Sequence, residues 1–253
     1  MVKFSLVIPA KNEEKRILLP LLDYYVSLHR RFGAHNFEIL ITVNNTTDDT
    51  VQIVKRLTKA LHCKEIKVYD LGTTKGKGES ILQGIRKAKG KIVGFIDADG
   101  SSSGHELMKA YSWLGSHPQA DSIIASRYMT GSHIIGDRPL QRKIASKILH
   151  SLIKGLFRTK YHDFFCGLKL FKRKTINTIL TETSAYGWGF DVSLIMTLLT
   201  HGYSVKEMPT SWIDREYSKV NILKYGMKVL RELFTVYLQE RARVRIAPNP
   251  VTV

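Results

Sequence analysis

Cysteine is nearly absent: two residues, Cys63 and Cys166, in 253. No C-x-x-C spacing exists. A disulfide framework and a thiolate zinc site are therefore excluded, and both thiols are expected to be free in a reducing compartment. Long apolar runs are missing too. No stretch reaches the roughly 18 to 20 apolar residues of a spanning helix, so contact with a membrane would be peripheral. The apolar opening, residues 1–9, is too short for a secretory leader and runs straight into Pro9 and a charged segment. It reads as a first buried strand. Acidic residues are scarce, 22 against 39 Lys and Arg, for a formal net charge of +17. Such a balance calls for an anionic partner: nucleic acid, an acidic membrane or a phosphorylated substrate.

Hydrophobic residues make up 43% of the chain, enough for one sizeable α/β core. Apolar runs at residues 4–9, 37–43, 65–71 and 91–96 predict four strands. Helical spacing at 13–30, after the caps at 46–50, and at 79–88 predicts helices between them. The order β-α-β-α-β-α-β implies a mainly parallel sheet with helices on both faces. Ligands of such sheets bind beyond the carboxyl ends of the strands. A helix near 106–114 and a short strand at 122–126 follow. Residues 138–174 then hold eleven Lys or Arg against one acidic residue. A last amphipathic stretch spans about 221–240.

Asp97-Ala98-Asp99 follows the fourth apolar run. Carboxylates at i and i+2 beyond a strand end can converge on one hard divalent cation, Mg²⁺ or Mn²⁺, which also bridges a diphosphate. A solvated turn is the plain alternative for the tripeptide taken alone.

Several motifs occur in order. Ser5-Leu6-Val7-Ile8-Pro9-Ala10-Lys11-Asn12-Glu13-Glu14, Lys75-Gly76-Lys77-Gly78, Gly84-Ile85-Arg86-Lys87-Ala88-Lys89-Gly90 and the Asp97/Asp99 pair resemble the family 2 glycosyltransferases, which have the GT-A fold. In the second half, Ala125-Ser126-Arg127-Tyr128, Pro139-Leu140-Gln141-Arg142-Lys143, the segment from Asp163 to Phe171, Trp188-Gly189-Phe190-Asp191, and Glu207-Met208-Pro209 with Trp212 resemble the dolichyl-phosphate glucosyl- and mannosyltransferases. The resemblance spans about residues 4–222. It implies inverting transfer of glucose or mannose from UDP-glucose or GDP-mannose to a dolichyl or polyprenyl phosphate, on the cytoplasmic face of a membrane.

By that pattern Pro9, Asn12 and Glu13 line the nucleotide pocket, with Asn44, Lys77 and Ala98 beside them. Asp97 and Asp99 hold diphosphate and metal, and Arg127 and Arg142 meet phosphates. Val43-Asn44-Asn45-Thr46 departs from the Asp-Asp-Gly-Ser usual in the family. An amide at Asn44 can still bond a base edge, so the departure touches donor identity rather than reaction type. The acceptor would be a phosphate monoester, dianionic near neutrality, and needs cations more than a base. Arg127, Arg138 and Arg142 are the candidates, since a guanidinium binds phosphate bidentately; surface charge is the plain alternative. Asp191 either orients a sugar hydroxyl or caps a helix. Asp163 either orients substrate or pairs with a basic neighbour.

Apolar residues at 144, 148, 149, 152, 153, 156 and 157 form a helical stripe flanked by Lys143, Lys147, Lys154 and Arg158. Leu223, Leu230, Leu233, Phe234, Tyr237 and Leu238 repeat the theme. Each stripe faces either the core or a membrane interface. The expected division is a catalytic domain over 1–220 and a membrane-peripheral extension over 221–253. A basic nucleic-acid-binding protein is the alternative from another class, although no helix-turn-helix, RNA-binding sheet motif or finger spacing is present. A sugar nucleotidyltransferase would need a glycine-rich loop after the first strand, which residues 9–14 lack.

Overall fold

The computed structural model describes residues 1–136, 139–215 and 222–246, apart from the side chains of residues 142, 222–225 and 244–246. Four strands are parallel neighbours: β1 (Phe4–Ala10), β2 (Phe37–Val43), β3 (Ile66–Asp70) and β4 (Ile92–Phe95). They are linked by α1 (Leu18–Phe32), α2 (Thr50–Ala60) and α3 (Lys77–Lys87). α4 (Gly104–Ser116) leads to β5 (Ser122–Ser126), and a short β6 (His133–Ile135) precedes α5 (Leu140–Phe157). Then come β7 (Lys169–Lys172), α6 (Ile176–Glu182), α7 (Phe190–Thr200), β8 (Val205–Pro209), β9 (Ser211–Ile213) and α8 (Ile222–Ile246).

The main sheet has seven strands in the order β3-β2-β1-β4-β7-β5-β8. Only β7 runs antiparallel, pairing with both β4 and β5. β6 and β9 form a separate two-stranded ribbon. β1 and β2 are buried along their whole length, as parallel strands covered on both faces must be. Their side chains alternate between two cores. Phe4, Leu6, Ile8, Ile39 and Ile41 face α1, α2 and α4, while Val7 and Leu40 face α3 and the later helices. From β1 the chain winds to β2 and β3 on one side, then returns to β4 on the other. That reversal opens a crevice beyond the carboxyl ends of β1 and β4.

Both predicted amphipathic stripes are helices, and each is half buried in the core and half exposed. On α5, Ile153 and Phe157 are buried in the second core, with Leu149 and Leu156 packed against it. Leu140, Ile144, Ile148 and Leu152 are exposed. On α8, Val229, Leu233 and Val236 are buried, whereas Met227, Leu230, Phe234 and Leu238 are exposed. The two helices meet where the Phe157 and Tyr237 rings pack edge to face, 5.8 Å between centroids. Among the described residues no helix is long and apolar enough to cross a membrane.

Candidate active site

Beyond β4 the chain alternates once more. Asp97 and Asp99 are half-buried at the crevice and Ala98 is tucked inside. Three neighbours hold this turn. The Tyr24 hydroxyl donates to the Ser102 carbonyl at 2.8 Å and reaches the Asp97 carbonyl at 3.3 Å. Arg215 Nη2 donates to the Gly100 carbonyl. The Ile213 amide donates to the Ser101 carbonyl. Gly100 has φ +72°, and a Cβ there would press on Pro20, so glycine is required at the bend. The Asp99 carboxylate accepts from the Ser101 amide at 2.9 Å. Burial, then the Asp99 and Asp97 charges, push the Tyr24 phenol well above its usual range.

The first turn of α3 delivers Lys77 to the pair, with Nζ 2.5 Å from Asp97 Oδ1. Burial alone would lower its ammonium; Asp97 foremost, then Asp191 and Asp99, hold it above its ordinary value. The converse applies to Asp97. Burial would raise the carboxyl, yet Lys77, followed by Lys169 and Arg127, keeps it below its ordinary value. Gly76 permits this approach, because a Cβ there would meet the Tyr186 carbonyl, which accepts from the Gly78 amide. Behind Lys77 lies a second ion pair. Lys169 on β7 is fully buried and binds Asp191 Oδ1 at 2.5 Å and the Cys166 carbonyl at 2.8 Å. Its ammonium lies 5.1 Å from the Phe95 ring centroid. Asp191 thus sits in the first turn of α7 as the partner of a buried lysine, and the residue at the N-cap is Gly189, with no side-chain cap bond.

Arg127 and Asp163, read separately from sequence, form one unit. Asp163 is fully buried and takes Arg127 Nε at 2.7 Å, Nη2 at 2.9 Å and the Arg127 amide at 3.0 Å. His150 Nε2 lies 3.4 Å from Asp163 Oδ1, the oxygen that also takes Arg127 Nη2. Burial would raise the Asp163 carboxyl, but Arg127 and then His150 drive it far below the usual range. The Arg127 guanidinium packs beside the Trp212 and Tyr128 rings, 5.1 and 5.5 Å from their centroids. It is a paired, largely buried group rather than a surface charge. Arg142 falls in the first turn of α5, its side chain outside the described residues, and Arg138 lies outside them altogether.

The proposed nucleotide wall lies at the ends of β1 and β2. Pro9 is a buried residue of β1. Asn12, in the left-handed region at φ 52°, accepts from the Thr47 amide at 2.9 Å. The Glu13 amide donates to Thr50 Oγ1, and its carboxylate pairs with Arg16. Asn44 is buried and donates to Thr74 Oγ1 at 2.9 Å, so its amide ties β2 to the loop before α3. The structure thus gathers Asp97, Asp99, Lys77, Asp191 and the Arg127–Asp163 unit. It also adds two residues the sequence reading passed over, Lys169 and Tyr24. A lysine inside the apolar Leu168-Lys169-Leu170-Phe171 run was the available signal, because a buried lysine requires a partner. Next to this cluster a groove of about 760 Å³ is lined by Lys75, Tyr186, Met227, Arg231, Glu232 and Val236 among others.

Among the described residues no three His, Cys, Asp or Glu converge as a metal cluster. Two carboxylates at a strand end, one of them already on Lys77, suit a hard cation that draws its remaining oxygens from a bound diphosphate. On that donor set a divalent ion fits.

The sequence profile of glycosyl transferase family 2 matches residues 5–180, and the chain belongs to that family. The dolichyl-phosphate beta-glucosyltransferase of Saccharomyces cerevisiae is 27% identical over 245 residues, covering 92% of this chain and 73% of that protein. The Homo sapiens protein of the same name is 24% identical over 225 residues, covering 86% and 69%. Glycosyltransferase AglD of Haloferax volcanii is 24% identical over 249 residues, covering 97% of this chain and 39% of that one. Among solved structures, glucosyl-3-phosphoglycerate synthase of Mycobacterium tuberculosis with UDP superposes with a TM-score of 0.66 at 16% identity, covering 95% of this chain and 80% of that chain. It has also been solved with Mn²⁺, UDP-glucose and phosphoglyceric acid. S. aureus TarS with UDP-GlcNAc gives 0.63 at 18% identity, covering 98% and 68%. The fold is GT-A, as the motif order implied.

Proposed function

We propose that the protein transfers glucose from UDP-glucose to a dolichyl or polyprenyl phosphate at a membrane surface. The observation that carries this reading is the acidic pair at the switch point, Asp97 and Asp99, with Lys77 2.5 Å from Asp97. The names of the relatives support glucose over mannose and a lipid phosphate over other acceptors. In this reading the acceptor phosphate, a dianion at neutral pH, attacks the anomeric carbon as the bond to the diphosphate breaks, with inversion. A divalent ion held by Asp97 and Asp99 would neutralise charge on the departing diphosphate. Lys77 adds a second cation there. The nucleophile is already ionised, so no carboxylate is needed as a base. That agrees with Asp191 being committed to Lys169. The exposed apolar rows of α5 and α8, with the basic residues beside them, support an acidic bilayer as the platform. On this reading residues 221–253 are the peripheral extension of a catalytic domain over 1–220. A nucleic-acid-binding protein would leave the acidic pair without a role.

The test supplies Mn²⁺ or Mg²⁺, a short polyprenyl phosphate and labelled UDP-glucose or GDP-mannose in parallel, and counts label in the organic phase. Lipid-borne label from UDP-glucose, lost in Asp99→Ala, is the expected result. Label from GDP-mannose alone would replace the sugar. No lipid label from a folded, nucleotide-binding protein would remove the lipid acceptor and leave a family 2 transferase acting on another acceptor.

A further inference from the structure

Residues 75–78 and 188–191, remote from each other in sequence, meet in the fold. The turn 186–190 grips Gly78 from two sides. The Tyr186 carbonyl accepts from the Gly78 amide at 2.9 Å. A Cβ on Gly78 would fall 2.5 Å from the Phe190 ring. Gly78 directly follows Lys77 in the first turn of α3. The turn therefore fixes the backbone from which Lys77 reaches Asp97.

The turn is itself held from α8. Glu232 is half-buried there, and its Oε2 accepts from the Gly189 amide at 2.9 Å. A Cβ on Gly187 would lie 2.6 Å from Oε2 and 2.7 Å from Oε1, so both carboxylate oxygens press on that glycine. A Cβ on Gly189 would meet Val236 at 3.3 Å and Glu232 Cβ at 3.4 Å. Two glycines thus let a helix side chain reach the backbone of the turn. Gly189 is the N-cap of α7, two residues before Asp191. A carboxylate on an amide at a helix N-terminus makes a charge-assisted bond, roughly twice as strong as a neutral one. The exposed row Leu230, Phe234 and Leu238 flanks Glu232 on the same helix.

We propose that Glu232 is a positioning residue of the donor site: by holding the turn 186–190 against Gly78 it sets Lys77 on Asp97, where the departing diphosphate is bound. This rests on the diphosphate role given to Lys77 above. Glu232 does not touch the donor, and its effect passes through Lys77. Without Glu232, Lys77 is present but misplaced. Without Lys77, Glu232 has nothing to position. The residue belongs to the stretch 221–253, read above as a peripheral extension, so that stretch serves the donor site as well as the bilayer.

The experiment is a double-mutant cycle on nucleotide affinity, measured by calorimetry with Mn²⁺ and whichever of UDP or GDP the full chain binds. Glu232→Ala is expected to weaken binding about tenfold, the scale of one charge-assisted hydrogen bond. In a Lys77→Ala background the same substitution should change affinity by less than about twofold. Glu232→Gln keeps an oxygen for the Gly189 amide and should restore most of the affinity. Gly187→Ala drives the turn and the carboxylate apart with Glu232 in place, and should copy the loss. Glu240→Ala is the control for the seating of α8. It removes bonds from Thr200 and Arg243 and should lower the melting temperature with less than about a threefold change in affinity. Additive losses from Glu232→Ala and Lys77→Ala would overturn the relay, and so would an equal loss in Glu240→Ala. Unchanged affinity in both Glu232→Ala and Gly187→Ala would overturn it as well. A wild-type chain that binds neither nucleotide would remove the donor-site reading and the role of Glu232 with it. Nucleotide binding without transfer to a lipid phosphate would count against the proposed acceptor alone, and the cycle would still decide the role of Glu232.

Discussion

Asp163 accepts four hydrogen bonds while fully buried, two of them from the fork of Arg127, and His150 Nε2 lies 3.4 Å from its Oδ1. Removing its charge strands the guanidinium in the interior, which typically costs 3 to 5 kcal/mol. Asp163→Asn is therefore expected to lower the unfolding free energy by about 3 kcal/mol at pH 7, measured by urea titration. The sign of its pH dependence follows from a folded carboxyl held below its unfolded value. The contribution is complete above about pH 4 and is lost as the pH falls further, through the folded value. The gap between wild type and variant should thus narrow below pH 4 and stay constant from pH 5 to 7. A gap that does not change with pH would remove the charge from the explanation. Both residues stood out in the sequence, but as separate candidates. Thirty-six positions separate them, and a long-range ion pair leaves no periodic trace. Lys169 and Asp191 were obscured in the same way, since the lysine reads as a flaw in an apolar run until its partner, twenty-two residues on, is seen.

Among the elements, legibility followed burial geometry. β1, β2 and β4 were visible because parallel strands covered on both faces are continuous apolar runs. β7 was not. It is four residues long, and its first residue is the buried lysine. α7 was legible only as a helix that Asp191 could cap, for the opposite reason: residues 190–198 are all buried, so the helix has no polar face to mark a period. The antiparallel β7 matters to the site because the segment leading into it packs Gly167 against Asp97. A Cβ at Gly167 would overlap the Asp97 carboxylate. Gly167→Ala is expected to retain the fold and melting behaviour, because the obstructing atoms belong to a half-buried side chain. It should displace that carboxylate and lower donor affinity by about tenfold or more, a 1.4 kcal/mol effect. Calorimetry with UDP-glucose and Mn²⁺ reads this directly, and unchanged affinity would show that the position of Asp97 does not govern donor binding.

At the scale of the whole molecule, the proposed membrane contact would draw on net charge and on amphipathic pattern through different physics. The sequence announced both the +17 charge and the two stripes. It could not say that each helix would bury one half of its stripe and expose the other, because that division depends on α5 and α8 packing over the second core together. Exposed apolar rows associate with a bilayer by burial, about 25 cal/mol per Å², and salt barely touches that contribution. Exposed lysines and arginines associate by charge, which salt screens over a Debye length of about 10 Å at 0.1 M. Phe234→Asp with Leu238→Asp alters two side chains that are 55% and 52% exposed, so the melting temperature should hold. Vesicle affinity is expected to drop more than tenfold at low salt, and the remaining binding should vanish on raising the salt to 1 M, where the wild-type protein keeps a measurable fraction bound. The contrast between the two salt curves is the informative quantity. If both proteins lose binding in parallel as salt rises, the apolar row of α8 stays in water and the basic surface alone holds the protein at the membrane.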